Sequence, residues 1–143
     1  MNTGWDHFQE LLKAQVRKKF SEEFTEHSMN PRNLGGLDGA NAFARVTKRS
    51  HTLQIWLKVE NDRIVDASFN ASGCGADIAC GSLTTELAIG KTLEEAYSIT
   101  PEIINNKIGG LPTDHMSSAE LASLTLRRAI VEHRRQQKAK KRS

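Results

Sequence analysis

The chain has 143 residues, enough for one domain with a substantial core. Its 38% hydrophobic and 26% charged residues are typical of a soluble globular protein, and no apolar run approaches the roughly 20 residues that cross a membrane. The first residues do not resemble a secretory signal, and two cysteines six positions apart do not make a disulfide framework. Composition therefore predicts a cytoplasmic protein that does not bind membranes.

The net charge of +3 is concentrated at one end of the chain. Residues 134–143 carry six positive charges and no negative charge, which leaves residues 1–133 with a net charge of −3. A nucleic-acid-binding domain is expected to place its basic residues on a folded face with aromatic residues between them. We therefore interpret the basic tail as the solvated end of a helix, and the pattern disfavours nucleic acid as a partner.

The N-terminal segment has the periodicity of an amphipathic helix. Thr3 and Asp6 approximate a capping box, and apolar side chains then recur at near-helical spacing. These side chains are Trp5, Phe8, Leu12, Val16, Phe20 and Phe24. The spacing predicts a helix over residues 4–27 that docks on the domain or on a second copy of the chain, forming a homo-oligomer.

The centre of the chain has the alternating pattern of a β-sheet. Residues 42–46 are a candidate short strand, and residues 52–60 alternate apolar and polar side chains. After a turn at Asn61-Asp62, residues 63–71 form another strand, whose strict alternation places Ile64 and Phe69 on opposite faces. The pattern predicts an antiparallel meander of two or three strands.

Helical signals follow the strands. An apolar helical face ends near Gly90, Thr92 and Thr100 can cap two further helices, and a long helix runs from about Ser118 into the basic tail. The order of one helix, several strands and several helices predicts an α+β fold, in which helices pack on one face of an antiparallel sheet.

Cys74 lies between Gly73 and Gly75, where the strand pattern changes into a helix pattern. Glycine lets a ligand approach the main chain closely, and the start of a helix favours the thiolate, which is the form that binds metals. The function of the chain is therefore predicted to depend on the partners of Cys74.

Several segments, in order, resemble the motifs of the NifU/IscU-type iron–sulfur cluster assembly scaffolds. They are residues 27–35 (HSMNPRNLG), 63–69 (RIVDASF), 73–79 (GCGADIA), 90–96 (GKTLEEA) and 109–112 (GGLP). The resemblance spans about residues 24–133. It implies a scaffold protein rather than an enzyme, with a cysteine desulfurase and other iron–sulfur assembly proteins as partners.

The chain departs from this family at the site that the resemblance implies. The family uses three thiolates, which suit iron–sulfur clusters, helped by an aspartate and a histidine. Of the three cysteines only the second is kept, as Cys74. Arg49 and His51 stand where the first cysteine and the aspartate are expected, and Ser117 and Ser118 stand in place of the histidine and the third cysteine. Neither the arginine, which stays protonated, nor Ser118 is predicted to ligate a cluster.

We predict Cys74 as the cofactor-binding residue, and Cys74, His51, His115 and Cys80 as candidate metal ligands. Both histidines fall at polar positions of the family's site, and imidazole binds zinc, iron and copper, although an exposed histidine is the alternative. Cys80 lies on an apolar helical face, so its alternative is a buried core residue. The resemblance implies an iron–sulfur cluster or iron as the bound group, with zinc also possible.

Three functions stay open from the sequence. The first is a scaffold-like protein that binds iron, a cluster or another metal through an atypical site around Cys74. The second is a non-catalytic binding or regulatory module that docks iron–sulfur assembly partners without holding a cluster. The third is a thiol protein that accepts persulfide sulfur on Cys74. We expect residues 1–27 to form the amphipathic helix, residues 28–133 the NifU/IscU-like domain and residues 134–143 the basic tail.

Overall fold

The computed structural model describes residues 4, 7 and 20–142 of the chain. The elements in this part of the chain are α1 (Glu22–Met29), β1 (Ala42–Lys48), β2 (His51–Glu60), β3 (Arg63–Ser72), α2 (Gly75–Ala88), α3 (Leu93–Tyr97), α4 (Pro101–Lys107), a 3-10 turn (Thr113–His115) and α5 (Met116–Arg142). Their order confirms the predicted α+β fold class.

The sheet has three antiparallel strands in the order β1-β2-β3. In β2 the apolar residues Leu53, Ile55, Leu57 and Val59 are buried, while the residues between them are half-buried. Helices α2 and α5 pack on the buried face, against β3 and β1 respectively. One face of the sheet therefore carries the core, as the alternation predicts.

The strict alternation predicted for β3 is wrong. The pairing of β2 with β3 shifts between Lys58 and Val59, where Val59 pairs with Ile64 but Lys58 pairs with Asp66. A β-bulge of this kind inserts one extra residue and moves the later side chains to the other face. Ile64 and Phe69 are consequently both fully buried in the core, instead of lying on opposite faces.

The predicted continuous helix over residues 4–27 is also wrong at its C-terminal part. Ser21 has an extended backbone and accepts a hydrogen bond from the Phe24 N–H at 3.0 Å, so it caps a new helix. Serine favours this position because its hydroxyl satisfies a free N–H group of the first turn. Before Phe20, only residues 4 and 7 of the predicted helix lie among the described residues. Of the apolar stripe, Phe20 and Phe24 are described and stack on each other, and the homo-oligomer predicted through the rest stays a prediction.

The loop after α1 is held on α2 by a buried polar contact. Nδ1 of His27 lies 2.7 Å from the Ser82 hydroxyl, which also accepts a hydrogen bond from the Arg32 N–H at 2.8 Å. Burial, together with the charge of Arg32, lowers the pKa of His27. The histidine is thus a structural residue that favours the neutral form, and it fixes the loop against the helix that carries the candidate site.

The last helix, α5, continues through Arg142, so the predicted basic tail is helical in its described part. Its side chains from residue 134 to residue 141 are exposed. Within the described residues, no helix combines the length and the apolarity that a membrane crossing requires.

Candidate metal centre

Two chain reversals bring the candidate residues together. Lys48 pairs with His51 across β1 and β2, so Arg49 and Ser50 form a two-residue turn, in which Arg49 has a φ of 57°. The end of β3 lies beside the start of β2, where Thr52 pairs with Ser72, and Cys74 follows two residues later as the N-cap residue of α2. The turn before β2 and the start of α2 thereby meet at the same end of the sheet, next to the first residues of α5.

His51, Cys74 and Asp77 form a compact group of potential metal ligands. Nδ1 of His51 lies 2.5 Å from Oδ2 of Asp77, and Sγ of Cys74 lies 3.7 Å from the same oxygen. One ligand atom from each residue lies within 4.8 Å of the other two. An imidazole, a thiol and a carboxylate this close together can bind one metal ion, because each type of group is a common metal ligand.

Asp77 is the centre of a hydrogen-bond network. Its side chain is only 2% exposed, and it accepts hydrogen bonds from the Cys74 N–H at 3.1 Å and from the Ser118 hydroxyl at 2.7 Å, besides its contact with His51. Burial alone would raise the pKa of the Asp77 carboxyl, but the hydrogen bonds from His51, Ser118 and Cys74 outweigh it and lower the pKa. The carboxylate is therefore held in its charged form, which is the form that can bind a metal ion.

Gly73 has no side chain, and the Asp77 carboxylate and the His51 imidazole occupy the space where a Cβ atom would lie. A Cβ atom at Gly73 would lie 2.2 Å from Oδ2 of Asp77 and 2.7 Å from Nδ1 of His51, both far inside van der Waals contact. A Cβ atom at Gly75 would meet nothing within 4 Å. Of the two glycines beside Cys74, only the first is thus required by the packing of the site.

The structure brings together two of the four predicted ligands. Cys74 and His51 are both partly buried and belong to the group, whereas Cys80 and His115 are not among the described residues that form it. Cys80 is fully buried in the core, and burial, followed by the charges of Asp77 and Cys74, raises its pKa to about 12. His115 lies in the 3-10 turn, with Nε2 3.8 Å from Asp114 and its ring against Phe20.

Asp77 was not predicted as a site residue. A signal for it exists in the sequence, because an acidic side chain three residues after an N-cap can reach back to the N-cap N–H, as Asp77 does here to Cys74. Ser118, which was set aside as a ligand, also belongs to the site, since its hydroxyl lies 4.0 Å from Sγ of Cys74. Its proximity depends on the packing of α5 against α2, which no local pattern encodes.

Comparison with known proteins points to one family. The chain matches the family model of the NifU-like N terminal domain over residues 19–140. It is 40% identical over 116 residues to the iron-sulfur cluster assembly scaffold protein IscU 1 of Archaeoglobus fulgidus, covering 80% of this chain and 76% of the relative. It is 34% identical over 119 residues to the iron-sulfur cluster assembly scaffold protein IscU of Aquifex aeolicus, with the same shares of 80% and 76%.

Solved structures share the fold. The N-terminal NifU-like protein of Brucella abortus superposes with a TM-score of 0.67 at 16% sequence identity, covering 84% of this chain and 97% of that one. At this identity the superposition shows the architecture alone, but the family model and the relatives above cover most of the chain in sequence. The chain therefore belongs to the NifU/IscU family of iron–sulfur cluster assembly scaffolds.

Proposed function

We propose that this protein is an atypical assembly scaffold that holds iron or a nascent iron–sulfur cluster as cargo, rather than an enzyme that turns over a substrate. The observation that carries the proposal is the group of His51, Cys74 and Asp77, whose ligand atoms lie within 4.8 Å of one another. Membership of the family and the names of the relatives support the type of cargo. Docking of a cysteine desulfurase, which the resemblance implies, would supply the sulfur.

The donor set fits this cargo, although it differs from three thiolates. Cys74 supplies one soft sulfur donor, His51 a nitrogen donor and Asp77 a harder oxygen donor. Fewer thiolates and more neutral or oxygen ligands make a cluster easier to lose or to reduce than an all-cysteine site does. The same three groups also suit zinc, which binds sulfur, nitrogen and oxygen ligands in tetrahedral sites, so zinc is the competing metal in any test.

Anaerobic reconstitution with iron and sulfide tests the proposal. We expect the wild-type protein to acquire iron in proportion to protein, with a sulfur-to-iron charge-transfer absorption that is lost in Cys74→Ser. Cys80→Ser is the matched control, because it removes the other cysteine, which is buried outside the group. Equal iron uptake by the wild type and Cys74→Ser would contradict the proposal, and metal analysis would show whether zinc occupies the protein instead.

His51→Ala and Asp77→Asn extend this test to the other two members of the group. We expect each to lower the amount of bound iron, and circular dichroism to confirm that each variant is folded. Retention of full iron binding in both variants would show that Cys74 works with other residues, of which His115 is the first to replace.

A second function is favoured by the hydrogen-bond network. Asp77 already accepts hydrogen bonds from His51, Cys74 and Ser118, so its charge is stabilised without a metal. In this reading the protein is a binding or regulatory module that docks iron–sulfur assembly partners without holding a cluster. It predicts that a purified cysteine desulfurase binds the wild type and Cys74→Ser equally well, while neither takes up iron. The scaffold function predicts iron uptake that depends on Cys74.

A further inference from the structure

A small pocket opens beside the candidate metal centre. It has a volume of ≈ 250 Å³, and its walls come from the turn between β1 and β2, from Asp77 of α2 and from the first turns of α5. His51 and Asp77 line both the pocket and the ligand group. A molecule in the pocket would therefore lie next to any metal that these residues hold.

The walls of this pocket carry charges of both signs. Lys48 and Arg49 line it from the turn, and Glu120 lines it from α5. All three side chains are exposed, and within the described part of the chain none of them takes part in an ion pair. Two cations and a carboxylate around one small pocket match a molecule that itself carries a carboxylate and an ammonium group.

The donor set beside the pocket is short of sulfur. His51, Cys74 and Asp77 offer three protein ligands, whereas a closed tetrahedral site has four. Cys74 supplies the group's one thiol, although iron and clusters favour thiolate ligands. An external thiol that enters the pocket would supply both the missing ligand and a second soft donor.

We propose that the pocket binds a small α-amino-acid thiol of the cysteine class, whose thiolate completes the ligands of the metal held by the group. Its carboxylate is recognised by Lys48 and Arg49, and its ammonium group by Glu120. The inference rests on the proposed function, because the thiol is bound next to the metal that His51, Cys74 and Asp77 hold. A pocket of ≈ 250 Å³ is smaller than the roughly 300–1,000 Å³ of sites for drug-sized molecules, which agrees with a small ligand.

Co²⁺ is the probe for this proposal, because its visible and near-ultraviolet bands report the coordination geometry and the number of thiolate ligands. The full-length protein is titrated anaerobically with Co²⁺ alone and then with L-cysteine, cysteamine, 3-mercaptopropionate or L-serine. Spectra of Cys74→Ser under the same conditions are subtracted, which removes cobalt complexes that form in free solution. L-cysteine is expected to strengthen the charge-transfer band and to tighten Co²⁺ binding, while L-serine, which has no thiol, does neither.

The analogues test the recognition of each charge. Cysteamine lacks the carboxylate and 3-mercaptopropionate lacks the ammonium group, so each is expected to require a concentration about tenfold higher than L-cysteine for the same effect. In Glu120→Gln the preference for L-cysteine over 3-mercaptopropionate should disappear. In the double variant Lys48→Gln, Arg49→Gln the preference for L-cysteine over cysteamine should disappear. Lys58→Gln, in a surface ion pair elsewhere on the sheet, is the matched control and should keep both preferences.

The outcomes separate this inference from the proposed function. If Co²⁺ bands that depend on Cys74 form but the three thiols act equally or have no effect, the amino-acid pocket is refuted and the metal site stands. If no such bands form with or without L-cysteine, both the metal site and the pocket are refuted. Preferences that persist in both pocket variants would also refute the assignment of Lys48, Arg49 and Glu120.

Discussion

The substitution Gly73→Ala tests the geometry of the site with a single methyl group. The added Cβ would lie 2.2 Å from Oδ2 of Asp77 and 2.7 Å from Nδ1 of His51, so both groups, or the backbone at residue 73, must move. Asp77 is only 2% exposed and is held by further hydrogen bonds, whereas the side chain of His51 is 38% exposed. We therefore expect the imidazole to swing into solvent, the Asp77 carboxylate to shift by a smaller distance, and the hydrogen bond between His51 and Asp77 to break.

The size of the effect follows from the bond that is lost. A hydrogen bond to a charged group contributes about 1.5–3 kcal/mol, and Gly73→Ala should destabilise the protein by about this amount. For a domain of this size that corresponds to a melting temperature lower by roughly 5–10 °C. The effect on metal affinity should be larger than the effect on stability, because two of the three ligand atoms are displaced from one another.

Gly75→Ala is the matched control for this substitution. It changes the glycine on the other side of Cys74, where a Cβ atom would meet nothing within 4 Å. Urea unfolding followed by circular dichroism measures stability, and iron or Co²⁺ uptake measures the site. Equal stability and equal metal uptake in the two variants would refute the close contact that we assign to Gly73.

Three further perturbations test other parts of the structure. Burial lowers the pKa of His27 below its unfolded value of 6.5, so the unfolded state binds more protons than the folded state as the pH falls through that value. Stability should therefore fall as the pH drops below about 7. His27→Gln should show a smaller fall in urea unfolding, and an equal fall would contradict the assignment. Gly81→Ala places a Cβ atom 2.5 Å from the buried ring of Phe69, so it should cost about 1–3 kcal/mol, and an unchanged unfolding midpoint would contradict this packing. Ser118→Cys places a second thiol where the hydroxyl lies 4.0 Å from Sγ of Cys74, so reconstituted iron should rise above that of Ser118→Ala. Equal iron in these two variants would show that the position does not reach the metal.

Local sequence patterns predicted most of the fold, and they failed where the chain departs from strict periodicity. The capping residues Thr92 and Thr100 begin helices as expected, since a cap is a contact between residues three positions apart. The alternation in β3 failed because the register shift at Lys58 and Val59 depends on pairing with another strand. The helix predicted over residues 4–27 failed at Ser21, because this residue interrupts the helix as the N-cap of a new one while the apolar spacing of Phe20 and Phe24 continues past it.

The candidate site was less accessible to sequence patterns, because its contacts join residues that are distant in the chain. Cys74 stood out by its glycine neighbours and His51 by its place in the family pattern, and the structure brings the two together. Asp77 contacts His51 across 26 residues and Ser118 across 41 residues. These residues meet only because α2 packs against the sheet and against α5. The hydrogen bonds that keep Asp77 charged could therefore not be predicted from the spacing of residues in the sequence.

The hydrogen bonds around Asp77 would compete with a bound metal, and this competition bears on the proposed function. In the arrangement described here, Oδ2 of Asp77 engages Nδ1 of His51 at 2.5 Å. A metal bound through these same two atoms would replace that contact, so its binding free energy would be reduced by the interaction that it displaces. Under the proposed function, the site would then hold iron or a cluster less tightly than it would if His51 and Asp77 did not contact each other. Weak retention would agree with the proposed scaffold function, and it would increase the contribution of an additional thiol ligand in the neighbouring pocket.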